Sequence, residues 1–417
     1  MAKKSNKRNI VTTSLYSIVS GVGLSAFAPM FIDSSSPLYI DVLLKCVGAL
    51  GIGYYFATWS RFDKLFENLG LGIDGSYPIL KEKIKRDYST VYKFTLPAGL
   101  CLSNFDENKE AIEQHLGRDI DIKYTYKEIF IEVYKDKMQT MYKYEPTNIK
   151  GDVPIMIGYD RKGELVSCDL ADGEPHMGVY GETGSGKSTI IRSIITNLIL
   201  MTNVILHLVD LKNGAEFNLF RKSSKVASFC RNVKEAEDLL VKISIEVDRR
   251  YDLFYSKDVK DIKEYNQKFK SKKMDYQVLI IDEFADLKPK SKSMNLIQEI
   301  ARKSRACGIH LIIATQRPSS KVLDGDIKQN ISCVLGLKTN DDTSSQVVID
   351  AVGLEKLRGK GHGIFKRGSK VEIQAPYLDP DRARELIQHT YINKSIHTEV
   401  KNGNVSESSL EEALSRL

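Results

Sequence analysis

The chain opens with two apolar runs joined by a polar turn, and beyond them its hydrophobic positions follow the short periods of a folded protein. Ile10 to Ile32 carries no charge and exceeds the ~20 residues that a membrane-spanning helix needs. Asp33-Ser34-Ser35-Ser36-Pro37 reads as a tight turn. Leu38 to Trp59 is apolar except for Asp41 and Lys45 near its start, and Tyr54, Tyr55, Phe56 and Trp59 crowd its far end as an interfacial belt does. Lys3, Lys4, Lys7 and Arg8 precede the first run, and Arg61 and Lys64 follow the second. Positive flanks outside a neutral-to-acidic turn predict a two-helix transmembrane hairpin (1–60, with spans at 10–32 and 38–59) in the cell membrane. Both termini and the remainder of the chain then lie on the cytoplasmic side. The first run is too long for a cleaved signal peptide, and a second run follows it closely.

Residues 61–150 read as a small α+β domain. Val91 to Leu96 and Ile129 to Tyr134 have strand composition. Ser103 to Leu116 predicts one helix, with Ser103 or Asn104 as N-cap. Lys81, Lys83, Lys85 and Arg86 form a basic run, read as a solvated helix face in preference to a lipid or DNA contact.

From 151 to 378 the pattern becomes that of an α/β domain. Val153 to Gly158 and Leu165 to Leu170 predict two short strands. Met177 to Tyr180, Val204 to Val209, Val278 to Ile281 and Leu311 to Gln316 are apolar runs that fit strands buried on both faces. Ile190 to Leu200 and Ala236 to Phe254 predict helices between them, so a parallel sheet with helices on both sides follows. His207, alone in its run, reads as a satisfied core residue. The polar tail, 379–417, begins with Asp379-Pro380-Asp381, a start signal for a helix through His389. Ser406 to Leu417 reads either as a short amphipathic helix or as a disordered partner-binding segment.

One stretch of this domain carries chemistry outright: Gly181-Glu182-Thr183-Gly184-Ser185-Gly186-Lys187-Ser188-Thr189. Its glycines let the backbone turn its N–H groups inward, and a helix begins at once, so loop and helix N-terminus form a phosphate cradle. Lys187 supplies a compact charge for the β/γ-phosphates, and the Ser188 hydroxyl suits Mg²⁺. A second signal follows about a hundred residues on, where Asp282 and Glu283 emerge from the end of a buried strand. Asp282 fits the Mg²⁺ shell, and Glu283 fits the group that polarises an attacking water. Gln316, at the end of the next strand, is placed to sense the γ-phosphate. ATP and Mg²⁺ are the cofactors expected. Lys288, Lys290 and Lys292, after Glu283, are open to DNA phosphates or to plain solvation.

Composition adds little. The 417 residues carry a net charge of +7, compatible with nucleic acid or an anionic membrane surface but shared by many proteins. The six cysteines form no Cys-x-x-Cys pair and the seven histidines no His-Glu-x-x-His, so neither a disulfide framework nor a zinc site is expected.

The order Asp282-Glu283-Phe284-Ala285-Asp286, Arg302 to His310, Ala314-Thr315-Gln316-Arg317-Pro318, Ile327 to Ile331 and Gly353 to Gly361 resembles the FtsK/SpoIIIE family of DNA-translocating ATPases. The resemblance spans roughly 150–378. It implies a RecA-like motor that assembles as a homohexameric ring and pulls DNA through its pore. By position it makes Arg305 the arginine finger for a neighbouring subunit's nucleotide, and Arg317 and Lys328 basic DNA-facing residues. Where the family commonly carries Lys and Arg, this chain reads Asp341-Asp342-Thr343-Ser344-Ser345-Gln346, which puts DNA contact by that loop in doubt. A two-span anchor with one motor resembles the coupling proteins of conjugative elements of Gram-positive bacteria. Such a likeness implies DNA, relaxase and channel proteins as partners. Translocation of double-stranded DNA for plasmid or chromosome segregation, and protein secretion of the ESX type, are the alternatives.

Overall fold

The computed structural model describes residues 62–287 and 291–392. The runs at 10–32 and 38–59, Lys288, Lys290 and the tail beyond 392 lie outside the described residues. Among the described residues no helix is long and apolar enough to cross a membrane. The chain divides after Lys137 into two compact units.

The first unit runs α1 (Asp63–Asn68), β1 (Ile79–Lys85), β2 (Ser89–Thr95), α2 (Leu102–Glu107), α3 (Lys109–Leu116), β3 (Ile120–Thr125) and β4 (Glu128–Tyr134). Its strands form an antiparallel sheet in the order β1-β2-β4-β3. Phe66, Phe94, Phe105, Ile112, Ile120, Ile129 and Ile131 make its core. Phe66 meets Phe94 and Phe105 edge-on at 5.2 and 5.9 Å, the arrangement that aromatic quadrupoles favour.

Two sequence expectations change here. The basic run at 81–86 is not a helix face: Lys81, Lys83 and Lys85 belong to β1, an almost wholly exposed edge strand. Lysines on such an edge discourage further strand pairing. The single helix expected over 103–116 is two. Asn108 breaks it, because its side-chain amide takes the Asn104 carbonyl (2.8 Å) and its own N–H turns to Phe105 O (3.2 Å). The N-cap position is Cys101, whose N–H is held by Asn104 Oδ1 at 3.0 Å.

The second unit begins with β5 (Tyr142–Lys143), β6 (Pro154–Tyr159), β7 (Leu165–Asp169), β8 (Met177–Tyr180), α4 (Lys187–Met201), β9 (Ile205–Asp210) and β10 (Val226–Cys230). It continues through α5 (Val233–Lys257), α6 (Ile262–Lys268), β11 (Gln277–Asp282), α7 (Ser291–Lys303), β12 (Ile309–Thr315), α8 (Gly325–Asn330) and β13 (Cys333–Leu337). It ends with α9 (Asp342–Ile349), β14 (His362–Arg367), β15 (Ser369–Gln374), β16 (Pro376–Tyr377) and α10 (Pro380–Ile387). β5 pairs with β16, so residues that composition places in the small domain before 150 are part of this unit.

Ten of these strands form one sheet, in the order β10-β9-β11-β12-β8-β13-β14-β15-β6-β7. The half from β10 to β13 is parallel, and the half from β14 to β7 is antiparallel. Val278 to Ile281 and Ile309 to Ala314 are fully buried, so both faces of the central strands are covered, as parallel strands require. His207 is a satisfied core residue, bonded to Ser228 Oγ (3.1 Å) and Gln277 Oε1 (3.3 Å). β8 lies at the centre between β12 and β13, and its carboxyl end delivers the glycine-rich loop where ligands of such sheets bind.

Candidate nucleotide site

The loop from Gly181 to Gly186 leaves β8 and feeds directly into α4. Gly184 and Gly186 have φ of +81° and +105°, a region in which a side chain is strained. Gly186 is confined further: a Cβ there would lie 2.3 Å from Gly361 N. Gly361 N–H donates to Ser185 O (2.7 Å) and Lys360 N–H to Gly184 O (3.3 Å), so the segment before β14 straps the loop. Gly181 serves close packing, since a Cβ would meet Leu337 Cβ at 2.6 Å.

Lys187, Asp282 and Glu283 are all buried. The Lys187 ammonium is paired with Asp282 Oδ1. Asp282 Oδ2 and Ser185 Oγ are buried with no hydrogen-bond partner, a costly arrangement unless a ligand completes it. Glu283 sits at φ +57° just past β11, which turns its carboxylate toward the end of β12. There it accepts from Thr315 Oγ1 (2.6 Å) and from Gln316 N–H (3.2 Å to each oxygen). The Gln316 side chain turns the other way and accepts from Thr183 Oγ1 at 2.9 Å. Gln316 therefore touches the phosphate loop with its side chain and Glu283 with its backbone. Ser188 follows Lys187 on the first turn of α4 and is half-buried, with Thr189 next to it.

Glu182, Thr183, Gln316, Arg317, Asn340 and Ser344 line a cavity of ≈ 470 Å³ beside the loop. Glu182 Oε1 accepts from Asn340 N–H at 2.7 Å. The Asp341-Asp342 pair that stands in place of the family's basic residues has a local role. Asp341 caps α9 by accepting from Ser344 N–H at 2.6 Å.

Of the other expected residues, Arg317 lies at this cavity and the rest lie elsewhere. Arg305 is exposed and precedes β12, whereas the phosphate loop follows the parallel strand β8. A seven-residue strand at ~3.3 Å per residue puts roughly 20 Å between the two ends, so Arg305 cannot serve its own subunit's site. Its charge bears instead on Glu174, His176 and His310. Arg317 is exposed at the cavity. Lys328 is bound to Asp350 Oδ1 at 2.6 Å, and Lys366 holds the other oxygen, so this pair keeps the Asp350 carboxyl below its usual range. Lys292 is exposed at the start of α7.

Lys212 belongs to none of the motifs legible in the sequence. Its ammonium lies 3.8 Å from Asp282 Oδ2 and 3.8 Å from Glu283 Oε2. The only sequence signal was that Asp210 ends β9 as Asp282 ends β11, its neighbour in the sheet.

The donor set fits a nucleotide and its metal. Magnesium uses one or two carboxylates together with substrate phosphates, and Asp282 with Ser188 offers that. No group of three or more His, Cys, Asp or Glu side chains that could hold a metal alone occurs among the described residues.

Residues 138–320 match the sequence model of the FtsK/SpoIIIE family. The chain carries an FtsK/SpoIIIE-family domain. The DNA translocase FtsK of Staphylococcus epidermidis is 36% identical over 276 residues, covering 62% of this chain and 33% of that protein. The DNA translocase SpoIIIE of Bacillus subtilis is 33% identical over 262 residues, covering 58% of this chain and 33% of that protein. The chain thus matches about a third of the length of these two relatives. Among solved structures, the conjugation coupling protein TcpA of pCW3, in its monomer form with ATPγS, is 27% identical with a TM-score of 0.58. That match covers 79% of this chain and 98% of the TcpA chain. The cytoplasmic domain of the type VII secretion ATPase EccC of Thermomonospora curvata matches with a TM-score of 0.52 at 24% identity, over 60% of this chain and 32% of that one. EccC shares the RecA-like P-loop fold.

Proposed function

We propose that this protein is a membrane-anchored ATPase that moves DNA as a conjugative coupling protein, delivering relaxase-processed DNA to a transfer channel. The observation that carries the proposal is the match to the TcpA coupling protein. It takes in 98% of that chain and 79% of this one, a larger share than the family domain alone occupies. The charge pattern of residues 1–60 supports the anchor and a cytoplasmic motor. The two curated relatives named above, both DNA translocases, support a second reading, ATP-driven movement of double-stranded DNA for plasmid or chromosome segregation. Protein secretion has only the shared EccC fold behind it.

In this reading the loop N–H groups and Lys187 hold the ATP phosphates, with Lys187 leaving Asp282 to do so. Ser188 and Asp282 hold Mg²⁺, which when bound neutralises charge on the transferring phosphoryl group. Glu283, fixed by Thr315 and Gln316, orients a water and accepts its proton. Gln316 reports the state of the γ-phosphate to Arg317. Arg305 acts on the neighbouring subunit's nucleotide, so the working form is a ring, as a hexamer provides. DNA is gripped mainly through its phosphates by Arg317 and Lys328, making binding salt-sensitive and weakly sequence-specific.

The test is transfer of the mobile element by cells whose only copy is Lys187→Ala. Transfer should fall by at least a thousandfold while segregation of the element continues. Wild-type transfer frequency would refute the coupling role. Loss of segregation with normal transfer would establish the second reading.

A further inference from the structure

The Asp282–Glu283 pair is held by two lysines, and only Lys187 belongs to the phosphate loop. Lys212 stands in the turn after β9, the strand next to β11, with Asp210 paired in register with Asp282. The buried Asp210 carboxylate builds that turn. It accepts from the backbone N–H groups of Lys212 (3.1 Å), Glu216 (2.8 Å) and Phe217 (2.9 Å). Asn213 and Gly214, both at positive φ (60° and 80°), fold the chain back immediately after Lys212. The lysine is thus presented from a braced loop, with an ammonium equidistant from one oxygen of each carboxylate. The Asp282 oxygen it faces is the one without a hydrogen bond.

We propose that Lys212 is a positioning residue for phosphoryl transfer, the cation that remains with the acidic pair once Lys187 turns to the phosphates. Two adjacent buried carboxylates repel each other and the incoming γ-phosphate. An ammonium 3.8 Å from an oxygen of each offsets that repulsion and attracts Glu283 Oε2, leaving the geometry set by Thr315 and Gln316 undisturbed. The groups within reach of the Lys212 ammonium are the two carboxylates. Lys212 acts through Glu283, and before nucleotide arrives it competes with a divalent ion for Asp282. The proposal rests on the ATPase reading above.

The test compares the purified full-length wild type, Lys212→Ala and Lys212→Arg. Steady-state hydrolysis in Lys212→Ala should lose about ten- to a hundredfold in kcat. KM should stay within threefold, and Lys212→Arg should recover most of the loss. Binding of Mn²⁺ alone, read by electron paramagnetic resonance without nucleotide, should tighten at least threefold in Lys212→Ala because a competing cation is gone. Unchanged kcat overturns the proposal, as does a loss confined to KM, which would make Lys212 a nucleotide-binding cation. Wild type that hydrolyses nothing refutes the ATPase reading. The Mn²⁺ measurement then still decides whether Lys212 guards the pair, and unchanged Mn²⁺ affinity overturns that.

Discussion

At the scale of single residues, the phosphate loop separates two kinds of glycine that its motif writes alike. Gly184 is left-handed but surrounded by open space, whereas Gly186 is left-handed and pressed against the backbone of Lys360 and Gly361. Gly184→Ala therefore meets only backbone strain, on the order of 1 kcal/mol. Gly186→Ala must also push the strap away from Ser185, breaking the bond from Gly361 N–H and moving the start of α4 with Lys187. Gly186→Ala is expected to weaken ATPγS binding at least a hundredfold, and Gly184→Ala by no more than tenfold. Equal losses in the two variants, measured by fluorescence titration, would show that the strap imposes nothing on the loop. Spacing alone could not reveal this difference. The strap is more than 170 residues away from the loop in the chain, and Gly359-Lys360-Gly361 stands out only as the end of a run that resembles the family, with nothing in it to point to the loop.

At the scale of elements, the strands with unbroken apolar runs were legible, and so were mixed ones such as Val91 to Leu96 and Leu165 to Leu170, but the charged edge strand β1 was not. Val278 to Ile281 and Leu311 to Ala314 could be nothing but buried strands. Ile79 to Lys85 alternates apolar and charged residues too loosely to declare itself, and it is an edge whose strand state comes from pairing with β2. Ser103 to Leu116 has helical composition throughout, and only the side chain of Asn108 divides it. The candidate nucleotide residues Lys187, Asp282 and Glu283 stood out in the sequence because phosphate chemistry demands a fixed local pattern. Lys212 did not, because its place depends on the pairing of β9 with β11.

The buried histidines of this sheet also carry an element-scale prediction. His176, just before β8, accepts from Leu311 N–H at Nδ1 (2.9 Å), so its Nε2–H donates to Ala301 O (2.8 Å). His310, on β12, faces Pro175 O with Nδ1 (2.9 Å) while Nε2 is buried without a partner. Burial pushes His176 down to about 3 and His207 and His310 down to about 4. The unfolded chain takes up these protons near pH 6.5 and the folded chain does not, so stability is full above that value and falls as the pH drops below it. Going from pH 7.5 to 5.5 should cost roughly 1 kcal/mol per histidine. A melting temperature of this unit that stays level across that range would contradict the assignment. His176→Gln should flatten part of the slope.

At the scale of the whole molecule, the decisive fact is that the acidic pair and Arg305 sit at opposite ends of the sheet. Lys187, Asp282, Glu283 and Gln316 gather where the parallel strands end, while Arg305 precedes the start of β12. A folded subunit cannot bring them together without dismantling β12, whose seven residues are all buried. If Arg305 contributes to hydrolysis, it does so for another copy, and each active site is then shared. Two inactive variants should consequently rescue each other. Lys187→Ala has no working nucleotide site but a good Arg305, and Arg305→Ala has the reverse. Each alone should retain less than a few per cent of wild-type ATPase activity. Mixed at equal amounts under conditions of subunit exchange, they should form some interfaces that pair an intact site with an intact arginine. Activity should rise severalfold above the sum of the separate proteins, and with increasing Lys187→Ala it should pass through a maximum. A mixture that never exceeds that sum would place the function of Arg305 outside the nucleotide site and leave its exposed position to surface charge alone.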